Sequence, residues 1–175
     1  MKRFALILAV MLIATVSYGQ RFAYIDSDYI MENIPEFRAA EEELSRLSVQ
    51  WQNEIEKVFA DVDKMYRDYQ AESPLLPEEI RRRREDAIIQ KEREAKELQM
   101  QRFGQDGDLF KRRQALVKPI QDRVSDALEE IARRQNYAMI FDKAGGASLV
   151  FADPRYDLSD EVLQRLGYRP GGGRN

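Results

Sequence analysis

Between Pro35 and Pro74 neither glycine nor proline interrupts the chain, and apolar side chains fall at Phe37, Ala40, Leu44, Leu47, Trp51, Ile55, Val58, Val62, Met65 and Tyr69. Steps of three and four residues place all of them on one narrow stripe of a helix, a heptad seam with a single stutter around Trp51–Ile55. A helix of about 37 residues is roughly 55 Å long, too long to be wrapped inside one globule. A single stripe needs only one or two partner helices. The pattern therefore predicts a coiled-coil arm.

The partner follows in sequence. Ser73-Pro74-Leu75-Leu76-Pro77 stops the first helix, and Pro77-Glu78-Glu79 starts a second with acidic residues at its positive end. A link this short predicts an antiparallel hairpin with its tip at about 73–77. The return helix is expected to run from Pro77 to about Asn136, with a firm seam only in its later half (Phe110, Val117, Ile120, Val124, Ala127, Ile131). Its first half offers only Ile80, Ala87, Ile88, Ala95 and Leu98. Gly104 and Gly107 interrupt it and are hinge candidates, and Pro119 removes a further backbone donor. Glu36–Glu72 carries net charge −5 and Ser73–Asn136 carries +2. That asymmetry selects the pairing of the two arms more than it stabilises it.

Short strand-like runs bracket the arm. Arg21–Asp26 reads as one strand, with Ser27 or Asp28 capping a short helix after it. Tyr137–Asp142 and Ser148–Ala152, separated by Gly145-Gly146, read as a β-hairpin, and Ser159 as the cap of a last helix ending before Gly167. The resulting fold class is α+β, mostly α: a helical hairpin over 36–136 on a small β body from 20–35 and 137–168, with a tail at 169–175. The body offers Phe22, Tyr24, Ile25, Met139, Ile140, Phe141, Leu149, Val150 and Phe151, more apolar surface than three short strands can cover. With no disulfides possible, subunits joined through the strands are the expected remedy.

At the N-terminus, Lys2-Arg3, the apolar run Phe4–Val16 and the small residues Ser17 and Gly19 predict a secretory signal peptide over 1–19. Cleavage after Gly19 leaves a mature chain of net charge −5, outside the cytoplasm and without a membrane-spanning segment. The chain has no cysteine and no histidine. Thiolate nucleophiles, cysteine-ligated zinc and imidazole acid–base chemistry are thereby excluded. No carboxylate pair is singled out by spacing, so no enzyme, cofactor or metal is expected. Asp26-Ser27-Asp28 and Asp106-Gly107-Asp108 read as turns and caps, lacking the oxygen set of a calcium loop. Arg81, Arg82, Arg83 and Arg84 are anion-contact candidates, set against a solvated face flanked by Glu78, Glu79, Glu85 and Asp86. Tyr66, Leu75, Leu76 and Phe103 lie where the hairpin is thin and are candidates for contact with another protein. Nucleic acid is not an expected partner of an acidic exported chain.

Taken in order, "FAYIDSDYIMENIPEF", the heptad arm, the charged return helix and "NYAMIFDKAGGASLVFADPRYDLSDEVLQRLG" resemble the Skp/OmpH family of periplasmic chaperones across the mature chain. The resemblance implies a homotrimer with a barrel-like core, helical tentacles around a cavity, and no catalytic residues. It implies an ATP-independent holdase that keeps unfolded outer-membrane β-barrel proteins from aggregating on their way to the assembly machinery. Family members are often strongly basic, which this chain is not. A structural spacer or adaptor of the cell envelope would use the same heptads and strands.

Overall fold

A computed structural model describes residues 20–146 and 149–170. The expected signal peptide, Ala147-Ser148 and the end of the tail lie outside the described residues. In chain order the elements are β1 (Arg21–Ile25), α1 (Ser27–Glu32), α2 (Pro35–Glu72), α3 (Glu78–Phe103), α4 (Asp108–Gln135), β2 (Tyr137–Asp142) and α5 (Ser159–Arg165). Short 3-10 turns cover Ser73–Leu75 and Pro154–Tyr156. Two compact units result, one from the ends of the chain and one from residues 34–123, with α4 contributing to both.

In the arm unit, α2 starts at Pro35, where a fixed φ suits the first turn and no N–H is lost. Its seam is as the sequence predicts: Ala40, Leu44, Ile55 and Val62 are buried, and the other six stripe positions are half-buried. The return half is not one helix, as the sequence suggested, but two. It breaks over 104–107, where two glycines weaken the helix and the bent backbone leaves no room for a side chain: a Cβ on Gly104 would stand 2.4 Å from the Met100 carbonyl oxygen, and one on Gly107 would stand 2.9 Å from those of Gln101 and Arg102. Helix α4, in contrast, continues through Pro119.

Ion pairs set the antiparallel register of α2 against α3 and α4. Advancing along α2, Glu36 meets Arg123 at 3.7 Å, Glu41 meets Arg113 at 3.6 Å, Glu43 meets Arg112 at 2.5 Å, Glu54 meets Arg102 at 3.4 Å and Glu72 meets Arg84 at 3.1 Å. Every acid is on α2 and every base on the return, which is how the charge asymmetry of the two halves is realised.

The other unit holds the strands, and here the sequence reading needs correction. β1 and β2 pair in parallel, Phe22 opposite Met139 and Tyr24 opposite Phe141, and Lys143 N–H extends the ladder to the Ile25 carbonyl at 2.8 Å. Leu149–Ala152 is not a strand, so the expected β-hairpin is absent among the described residues. β2 pairs only with β1 among the described residues. The far side of Tyr24 is met instead by Asp157, through an isolated bridge, and by the Leu158 N–H at 2.9 Å.

The caps differ from expectation too. Asp26, not Ser27 or Asp28, caps α1 by accepting from Tyr29 N–H at 3.0 Å. Ser159 does not cap α5. Its fully buried hydroxyl accepts from the Asp26 N–H at 2.9 Å and donates to Asp157 Oδ1 at 2.6 Å, tying α5 to the start of α1. Beside this tie Ile30, Val162 and Leu163 are fully buried, each stabilising by about 1.5–3 kcal/mol. At the other end of α5, Gly167 adopts φ +86°, and the Tyr168 N–H reaches back to the Leu163 carbonyl at 2.8 Å, closing the helix with a Schellman turn.

Replacing Ser159 with Ala strands the Asp26 N–H and removes a donor from Asp157. Ser159→Ala should lower unfolding free energy by about 1–3 kcal/mol, read as a fall in thermal midpoint with the helical circular dichroism retained. An unchanged midpoint would mean that water takes over both bonds.

Candidate functional site

Side-chain alternation divides the two-stranded sheet into a covered and an uncovered face. Ala23 and Ile25 are buried and Ile140, facing Ala23 across the ladder, is half-buried. On the opposite face Phe22, Met139 and Phe141 stay exposed, and only Tyr24 is covered by its own chain. Beyond the turn at Gly146 (φ +79°), Leu149 is half-buried, while Val150 and Phe151 are 99% and 82% exposed. Phe22, Tyr24, Phe141, Leu149, Phe151 and Tyr156 line an open groove of about 640 Å³. Of the residues expected to form the oligomer core, Phe22, Tyr24, Phe141, Leu149 and Phe151 line this groove, Met139 and Val150 are exposed, and Ile25 and Ile140 lie on the covered face.

The groove's rim is fixed by a tight salt-bridged turn. Asp153 accepts the Arg155 side chain at 2.6–3.1 Å and the Arg155 N–H at 3.0 Å, which holds its carboxyl down at about 2. Elsewhere in this unit the Arg165 guanidinium on Glu130 lowers that carboxyl as well, and Gln135 donates to Glu161 at 2.5 Å, so α4 and α5 are joined by polar contacts.

On the arm, Leu75 is 86% exposed, Tyr66 is exposed and Leu76 is half-buried. Phe103 has found a partner: its ring packs edge-on against Trp51, centroids 6.5 Å apart and planes at 82°. The four arginines of the 81–84 run are each ion-paired, Arg81 and Arg82 with Glu78, Arg83 with Glu79 and Arg84 with Glu72. That pairing supports the solvated face over an anion site. Gly104 and Gly107 sit at the α3–α4 break, where a side chain is sterically barred. The sequence reading missed what surrounds them: Arg102 stacks 5.0 Å over Trp51 and donates to Asp108 at 2.6 Å. The coincidence of the single tryptophan with the seam's stutter was the available signal. Among the described residues no group of three or more acids could hold a metal ion, and no helix is long and apolar enough to cross a membrane.

A parallel strand pair whose connection is a long, ion-paired helical arm defines a mostly helical class of α+β protein. The family model described as outer membrane protein (OmpH-like) matches residues 21–166, and the chain belongs to that family. Its fold is also that of an OmpH-like protein from Caulobacter crescentus CB15, described as a candidate outer membrane chaperone: TM-score 0.67 and 13% identity, with 86% of this chain and 85% of that one covered. No curated protein matches in sequence.

Two outcomes follow from this geometry. Gly104→Ala should destabilise the arm by about 1–3 kcal/mol, the usual cost of overpacking, where a free hinge would be stabilised by the same change; thermal unfolding distinguishes them. The Asp153 carboxyl should titrate by NMR near 2 and return toward 3.8 in Arg155→Ala. Because its pKa is depressed in the folded chain, the pairing is complete above the unfolded value of 3.8 and is lost as pH falls through about 2.

Proposed function

We propose that the protein is a periplasmic holdase chaperone, acting without ATP, that captures unfolded outer-membrane β-barrel proteins between helical arms. Family membership over residues 21–166 carries the chaperone reading. The arm is compatible with weak, sequence-tolerant capture: Tyr66, Leu75, Ile80, Ile89 and Met100 are apolar and exposed, scattered among paired charges. Scattered contacts of this kind bind extended chains transiently and leave no deep pocket for one ligand. Export to the periplasm through the segment 1–19 is part of the same reading.

The active form in this reading is a homotrimer. Phe22, Met139, Phe141, Val150 and Phe151 form an exposed apolar surface on a sheet too small to stand alone. Joining three copies through that surface would cover it, complete a barrel-like core and leave the arms enclosing a cavity. Tyr66 and Leu75 are the client contacts, with Leu76 and Phe103 partly engaged in their own chain.

Stoichiometric mature protein should keep a urea-unfolded outer-membrane β-barrel protein soluble on dilution, without nucleotide. Aggregation equal to a control would overturn the chaperone reading, and one tight partner with no protection of unfolded chains would point to an envelope adaptor. Native mass spectrometry should give three subunits, and Val150→Asp with Phe151→Asp should shift the protein to monomer. A wild-type monomer would overturn the assembly.

A further inference from the structure

The α-helical hydrogen-bond ladder of the return arm stops where the Gly104 N–H meets the Met100 carbonyl at 2.8 Å, and resumes where the Lys111 N–H meets Gly107 at 3.0 Å. Between them lies only one short turn, Gly107 N–H to the Gly104 carbonyl at 2.9 Å. The angle between α3 and α4 is therefore not set by a continuous helix. What spans the break is a side chain. Arg102, in the last turn of α3, donates to Asp108 in the first turn of α4 at 2.6 Å, reaches Glu54 on α2 at 3.4 Å, and lies over the Trp51 ring. One residue thus touches all three helices.

Two observations separate this contact from the other ion pairs. The Arg102 and Asp108 side chains are 23% and 30% exposed, the least exposed pair among the described residues, so solvent weakens it least. Helix α3, moreover, buries little: besides the Phe103 ring on Trp51 and the exposed Arg84–Glu72 pair, Ala95 is its only buried residue, whereas α4 buries Val117, Ile120, Val124, Ala127 and Ile131. The closed arrangement is not fully satisfied either, since Arg102 Nε is buried without a hydrogen-bond partner among the described residues. That unmet donor brings the closed and open states nearer in free energy than a complete network would.

We propose that Arg102 is a latch across the α3–α4 break: closed on Asp108, Glu54 and Trp51 it holds α3 against α2, and when released it frees α3 at Gly104–Gly107 while α4 stays packed. The inference does not depend on the chaperone reading, and its test needs no client.

The full chain is compared with Arg102→Gln and Arg102→Lys by hydrogen exchange and by fluorescence of Trp51, the only tryptophan. Arg102→Gln should speed exchange of the α3 and break amides about ten- to a hundredfold, the effect of losing a charge-assisted bond, and should shift Trp51 emission to the red. Amides of α4 from Val117 to Ile131 should be unchanged. Lysine, which keeps the charge but not the planar stack, should fall between. Break amides exchanging as in wild type, or exchange rising equally through α4, would overturn the latch. If Arg102→Gln fails to fold, Asp108→Asn decides by the same readout: local acceleration supports the latch and wild-type exchange refutes it.

Discussion

The parallel pairing of β1 with β2 is the constraint on which the rest depends. Parallel neighbours cannot be joined by a tight turn and need a crossover, and here the crossover is everything from Asp26 to Asn136. The arm is therefore not an appendage on a finished sheet but the connection that makes the sheet possible. Loop-closure entropy grows only with the logarithm of length, and helices that pair along their own seam shorten the effective loop further. At the exit from α4, Asn136 takes φ 56°, a left-handed turn that an asparagine tolerates, and the chain enters β2 directly.

A two-stranded parallel sheet is a poor structure in isolation, and the chain supports it from one side only. On the covered face the Ser159–Asp157–Asp26 tie and the buried Ile30, Val162 and Leu163 make a small core. On the other face only Tyr24 is covered among the described residues. The arm divides differently, by how much it buries. Cross-arm ion pairs run along both halves, but α4 also buries Val117, Ile120, Val124, Ala127 and Ile131, whereas α3 buries only Ala95 and sets Phe103 edge-on against Trp51. Exposed pairs are worth about 0–1 kcal/mol each and are screened by salt, so the two halves must differ in how firmly they are held.

Legibility from sequence follows the same division. The α2 seam was readable to the residue because helical period and burial are the same signal. The cross-arm register was readable as a charge difference between halves, though not as particular pairs. The β-hairpin was misread because strand propensity is local while pairing partners are not: Tyr137–Asp142 was read with the segment after it, and it pairs with β1, 116 positions before. The break at Gly104–Gly107 was located as a hinge candidate, since glycine usually marks a backbone that needs latitude. What was not legible is how closely the backbone packs there, where the Met100 and Arg102 carbonyls occupy the space of a side chain. That crowding lives in coordinates and not in composition. The outward face of the sheet was expected to be covered only by joining subunits, and in the single chain Phe22, Met139 and Phe141 are exposed.

The arginines show how placement decides what a charge can do. Arg81–Arg84 looked like the strongest electrostatic feature, yet its charge is spent on Glu72, Glu78 and Glu79 within the same arm. Arg102 is one isolated arginine, and its setting makes it the more consequential. It sits where the helical ladder is cut, against the single tryptophan, between two carboxylates on different helices. A charge in the middle of a continuous helix can tune stability by tenths of a kcal/mol. A charge that replaces the missing backbone bonds of a break can set whether two segments move together. Long arms built from few apolar contacts need such points, because a seam this sparse in α3 has no hydrophobic reserve to hold it once the backbone connection is lost.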